Sequence, residues 1–155
     1  MVKQLIKGLT INGRLLMACG KLVYNTGIIK LNSMRYVQII NTNNQLKTPL
    51  TVSYCESFSC RLRGLMFTRT INYKSGLLIV ERNDSILGAS IHMMFMNYDI
   101  AAIWINSQME VVDLKRVQRW RLSCSPQAPA RFILETHPDR LDEFNIGDNL
   151  HFEST

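Results

Sequence analysis

From residue 36 onward, apolar and polar positions alternate in short runs, the period of strands with one face buried. Tyr36–Ile40 and Thr48–Tyr54 read as two strands joined by the turn-forming stretch 41–45, a hairpin pattern. The run Ser57–Phe67 predicts a short helix. Ser57 caps it, Phe58, Leu62, Leu65 and Met66 form its apolar face, and Gly64 lies near its end. Gly76–Glu81 predicts a strand and Arg82–Gly88 a polar loop. Ile91–Met96 and Ile100–Ile105 predict strands around Asn97-Tyr98-Asp99, followed by a turn at 106–109 and a strand over Glu110–Val117. Trp120–Pro129 reads as an irregular connection, Arg131–Glu135 as a strand and Pro138–Phe144 as a helical turn. A tight turn at Ile146-Gly-Asp148 precedes the last strand.

Many short strands at close spacing predict a mainly β, single-domain fold, sandwich or jelly-roll-like or barrel-like, with one or two short helices. Its 155 residues, 46% hydrophobic and 19% charged, suffice for one domain with a real core. The net charge of +6 is unevenly spread. Residues 1–33 hold Lys3, Lys7, Arg14, Lys21 and Lys30 with no acid, and residues 34–155 hold every acidic residue and are close to neutral. A nucleic-acid partner is therefore not expected, because it would require a basic stripe on the domain itself.

The chain divides into a basic N-terminal extension, 1–33, and a body, 34–155. The extension has no apolar run near the roughly 20 residues of a membrane span, and no clear secretory signal. Three readings stay open: a segment making weak contact with a membrane surface, a flexible extension, or translated upstream sequence with Met34 as the start. Cys19, Cys55, Cys60 and Cys124 include no Cys-x-x-Cys pair. Free thiols in a reducing compartment, hence a cytoplasmic protein, are the expectation.

Candidate chemistry concentrates in residues 89–106, where a histidine and an aspartate interrupt an apolar run; burying either without a partner is costly. His92 is expected to face Asp99 across the turn at Asn97-Tyr98, which would orient its imidazole. Arg61 and Arg63 on the preceding helix suit a carboxylate, phosphate or hydroxyl ligand. The candidate ligand-binding residues are His92, Asp99, Arg61, Arg63 and Glu135. The purely structural alternative pairs Arg63 with Asp99 or Glu135. As an enzyme the site would use His92 as acid–base, although no nucleophile accompanies it.

A strand over 91–96 would put His92, Met94 and Met96 on one face, soft ligands suited to copper, against the simpler reading of methionines as core filling. No cofactor is implied, and His137 and His151 have no metal-ligand spacing. The partner is expected to be a small molecule or another protein. An interaction surface would require Trp120, with Arg116, Arg119 and Arg121 around it, to be exposed together with Phe95.

An ordered set of motifs runs through the body. It comprises Arg61-Leu-Arg-Gly-Leu-Met-Phe67, Gly76-Leu-Leu-Ile-Val, Ile91-His-Met-Met-Phe-Met with Asp99-Ile-Ala-Ala-Ile-Trp-Ile, Val111-Val-Asp, Ala130-Arg-Phe-Ile-Leu-Glu135 and Ile146-Gly-Asp148. Over roughly residues 36–153 this set resembles the DUF192 (UPF0127) family. Six motifs in order are more specific than any one of them. The resemblance implies a compact, mostly β fold in a bacterial or archaeal protein and no established activity. The chain departs from the family pattern at Met94, where an aromatic residue is common.

Overall fold

A computed structural model describes residues 35–154 and two short strands before them, β1 (Leu22–Tyr24) and β2 (Gly27–Ile29). The chain divides into units Met1–Ser33 and Met34–Thr155. In the first, β1 and β2 pair antiparallel. The readings offered for residues 1–33, membrane-surface contact among them, otherwise lie outside the described residues.

The second unit is built on β3 (Arg35–Asn41), β4 (Leu50–Cys55), β5 (Ser75–Ser85), β6 (Ile100–Ile105), β7 (Val111–Val117), β8 (Ala130–Thr136) and β9 (Leu150–Ser154). It also has one short helix, α1 (Phe58–Arg63), and a 3-10 turn, Pro138–Glu143. The strands form one seven-stranded sheet in the order β7-β6-β8-β5-β4-β3-β9. Every neighbouring pair is antiparallel except β4–β5. A parallel pair needs a long crossover, and residues 56–74, containing α1, supply it. The sheet curls until its edges touch at one end, where Val111 N–H donates to Asp148 O (2.8 Å) and Leu150 N–H to Met109 O (2.8 Å). The contact does not extend into a ladder, so the sheet is not closed into a barrel.

Alternation sends the strand residues to two apolar layers. Ile39, Val52, Leu78, Ile103 and Leu134 belong to the layer on one face of the sheet. Leu77, Ile79, Ala102, Trp104 and Ile133 belong to the other, which is completed by Ala89, Ile91, Met93, Met96 and Cys124 from the connecting segments. β6, covered on both faces, is buried throughout. Trp104 lies in the core, as its strand position suggests, and donates its indole N–H to Ala89 O at 2.8 Å.

Two expectations are corrected. β5 continues to Ser85, because a register irregularity between Val80 and Ser85 lets the strand run through residues read as loop. Residues 91–96 are not a strand. Only Ile91 forms a bridge, to Cys124, and the chain then turns, with Met96 N–H donating to Met93 O at 3.2 Å. The apolar spacing there comes from a loop that buries Met93 and Met96 and exposes Met94 and Phe95.

At Gly76 the backbone of β8 leaves no room for a side chain. A Cβ built there would lie 2.4 Å from the carbonyl oxygen of Glu135 on β8 and 3.1 Å from a Val52 methyl. Gly76→Ala is expected to cost about 1–3 kcal/mol as overpacking. A lowered urea midpoint at unchanged m-value would show it, and a wild-type midpoint would contradict the close approach.

Candidate functional site

The site forms where α1 and two loops cover the second face of the sheet. The Ser57 hydroxyl caps α1 by accepting from Cys60 N–H at 3.3 Å, as its position predicts. Gly64 ends the helix at a φ of +49°, a conformation that favours glycine. The chain then turns back over the sheet through Leu65 and Met66. From the opposite side, the loop Gly88–Met96 closes over the same strands.

Between them lies an open cavity of about 280 Å³. Its floor is made by Ile79 and Ile133, adjacent on β5 and β8, with Glu135 two residues further along the same face. Arg61, Arg63 and His92 stand on its walls. Four of the five residues proposed from sequence therefore line one cavity.

Glu135 is the unusual member. The residue is buried and its carboxyl, which faces the cavity, makes no hydrogen bond or ion pair with another described residue, whereas buried carboxylates ordinarily have partners. Burial alone pushes its carboxyl up from 4.5 to about 7. The arginines do not neutralise it. Arg61 pairs with Glu81, a residue that the sequence reading passed over, although its parity on β5 puts it on the same face as Leu77 and Ile79. Arg63 is exposed and makes no ion pair among the described residues. The structural alternative that paired Arg63 with Asp99 or Glu135 is not what forms. The Tyr98 phenol is pushed up chiefly by its partial burial; its hydrogen bond with Thr68 acts the other way and the Glu135 charge adds to the rise.

Asp99 does not join this group. It lines a separate, more polar hollow with Arg116, Arg119 and His137. There it accepts from Arg119 N–H at 3.1 Å and lies 3.6 Å from the Arg116 guanidinium. The expected His92–Asp99 pair is therefore absent, because residues 91–98 turn rather than run as a strand into Asp99. The arrangement required for His92 as an oriented acid–base goes with it. The copper geometry fails for the same reason: Met96 is buried while His92 and Met94 are exposed, so the three do not share a face. Among the described residues, no three His, Cys, Asp or Glu side chains cluster as metal ligands.

The thiol expectation is also corrected. Cys55 and Cys60 form a disulfide with Cα atoms 5.7 Å apart, linking the end of β4 to α1 and so to the cavity wall. Their five-residue separation matches no thiol motif; the turn capped by Ser57 brings them together. Cys124 is free and buried, and Cys19 lies outside the described residues.

A single mixed sheet with a small cavity under its cover is a scaffold defined by shape rather than by a recognisable catalytic set. The sequence matches the DUF192 family, described as Uncharacterized ACR, COG1430, over residues 38–152, and the protein belongs to that family. Curated relatives are archaeal. A UPF0127 protein of Thermococcus sibiricus is 40% identical over 104 residues, 66% of each chain. A UPF0127 protein of Thermococcus gammatolerans is 40% identical over 84 residues, 54% of this chain and 53% of its own. The chain thus spans about half to two thirds of the length of these relatives. A UPF0127 protein of Pyrococcus furiosus is 29% identical over 116 residues, 74% of this chain and 97% of its own. Two solved structures share the fold. A candidate transcription regulator of Sinorhizobium meliloti has a TM-score of 0.66 at 18% identity, covering 77% of this chain and 94% of its own. A protein of unknown function from Novosphingobium aromaticivorans has a TM-score of 0.65 at 13% identity, covering 86% and 94%.

Proposed function

We propose that the protein is a small-molecule-binding or accessory protein whose ligand enters the cavity over Glu135. The observation that carries this reading is the buried, partnerless carboxyl on the floor of an open cavity. Such a group destabilises a fold, and a ligand that supplies its missing hydrogen bond would offset that cost. Apolar walls and an unpaired Arg63 favour an amphiphile with an apolar body, a polar group for Glu135 and an anionic group for Arg63. A cavity of about 280 Å³ favours a small molecule over a polymer. Of the candidate residues, Glu135, Arg63 and His92 belong to this reading, Arg61 supports it through Glu81, and Asp99 leaves it.

A thermal-shift screen of small organic carboxylates and phosphates, run on the parent and on Arg63→Ala, tests the proposal. We expect at least one compound to raise the parent Tm by several degrees, with about tenfold weaker binding to the variant. Affinity should also change across neutral pH as Glu135 titrates. No shift with any compound, or equal shifts in both proteins, would count against it.

No helix of the described residues is long and apolar enough to cross a membrane. The cytoplasmic location expected from free thiols loses that support to the Cys55–Cys60 bond. We read residues 1–33 as an appendage to the body that carries this function.

A further inference from the structure

Beside the cavity, three loops present an aromatic platform. Phe67 stacks on Phe95 with ring centroids 5.3 Å apart, and Trp120 meets Phe95 edge-on at 5.9 Å. All three are exposed, Phe67 at 66% and Trp120 at 58%. Each also has a positive φ, +62°, +60° and +65°, a region that bulky residues rarely adopt. The loops are tied together: Phe67 N–H donates to Phe95 O (3.3 Å), and Trp120 N–H to Met93 O (3.0 Å). The rings are thus held outward by a connected backbone, in a conformation that burial of the rings does not explain. Leu62 on α1 and Leu122, 76% exposed, add aliphatic groups on the same covering segments.

Charge is segregated here as well. Segments 57–70, 85–98 and 118–125 contain no acidic residue, although the chain has 12. They carry Arg61, Arg63, Arg69, Arg119 and Arg121. The side chains of Arg63, Arg69 and Arg119 make no ion pair among the described residues. The covering segments are therefore basic and aromatic, although Arg61 is paired with Glu81 and Asp99 accepts from Arg119 N–H at their margin.

We propose that this side docks on an anionic lipid surface, with Phe67, Phe95, Trp120 and Leu122 entering the headgroup region and the arginines engaging lipid phosphates. Apolar side chains on separate loops with arginines beside them suit a fluid surface. A folded partner would require some 800 Å² of matched, contiguous surface on each side. The inference does not depend on the cavity being occupied.

The test uses the full-length protein with vesicles of phosphatidylcholine alone and with about one third phosphatidylglycerol. Of the chain's two tryptophans, Trp104 is buried, so a change in emission reports Trp120. On anionic vesicles we expect a blue shift, quenching by brominated lipid, and binding about tenfold tighter than on neutral ones. Phe67→Ser/Leu122→Ser should weaken binding about tenfold at unchanged Tm. Trp120→Phe should lose the emission shift, and the unchanged Tm of the double variant excludes a folding defect as the cause of its weaker binding. Vesicle binding without quenching would mean contact through charge elsewhere and would overturn the proposal. So would equal binding by the double variant, or capture of polyglutamate with no affinity for vesicles, which marks a dock for an acidic protein.

Discussion

Arg140→Met is expected to lower the unfolding free energy by roughly 3–5 kcal/mol, the cost of breaking a buried ion pair from one side. Arg140 is fully buried in the 3-10 turn. Its guanidinium donates to Glu143 (2.7 Å), to the carbonyls of Thr48 and Tyr73 (both 2.8 Å) and to the Thr48 hydroxyl (3.2 Å). It also lies 4.9 Å from the centre of the Tyr73 ring. Tyr73 O–H donates to the other oxygen of Glu143 at 2.7 Å, a bond that raises the phenol's pKa. One side chain therefore ties the β3–β4 connection, the crossover before β5 and the segment after β8 to one another. Without it, two carbonyls lose their donor and Glu143 is left buried with Tyr73 and the Lys47 N–H. Removing both charges, as in Arg140→Met/Glu143→Leu, should cost clearly less than the two single losses added, because no orphaned charge remains. Urea denaturation of the three variants measures this. Additive losses would mean that the pair is not coupled.

Glu135→Gln is expected to stabilise the fold at alkaline pH, although it removes the central group of the proposed site. In the unfolded chain the carboxyl takes its ordinary value of 4.5, and in the fold burial raises it to about 7. The folded state thus holds its proton more tightly than the unfolded state. The stability linked to this group is fully present below about 4.5 and is lost as pH rises through about 7. The difference corresponds to about 3 kcal/mol. The variant, which cannot ionise, should match the parent at the acid end and exceed its stability by about that amount near pH 8.5. Paired denaturation curves across this range decide it, and parallel pH profiles would show that Glu135 does not titrate there. A ligand that satisfies Glu135 should narrow the gap between the two proteins.

These two groups illustrate what could be read in advance. The hairpin of β3 and β4, the all-buried β6, the Ser57 cap and the Gly64 stop were legible, because side-chain period, capping and turn chemistry act over a few neighbouring residues. Arg61, Arg63, His92 and Glu135 were also legible as candidates, since polar groups interrupt apolar runs or stand beside them. Their relations were not. The pairing of His92 with Asp99 across the turn at Asn97-Tyr98 requires a strand over 91–96 that does not form, and the His92–Met94–Met96 face depends on the same strand. Met93 and Met96 turn inward because a loop folds over Ile79 and Ile133, and the spacing of a loop mimics a strand when its apolar residues must also reach a core. Arg140 and Glu143 gave no signal, for their partners lie up to 102 residues away in sequence.

By itself, the sequence determined the class of the body, most of its strands and its family, because these follow from local periodicity and from motifs in order. It also placed Arg116, Arg119 and Arg121 around Trp120. The tertiary structure alone decided that Glu135 has no partner while Arg61 has Glu81, that Cys55 and Cys60 are joined, and that three aromatic rings meet at the surface. Each of these depends on which distant segments the curled sheet and its crossover bring within bonding distance, and burial and pairing energies act through that distance rather than through position in the chain.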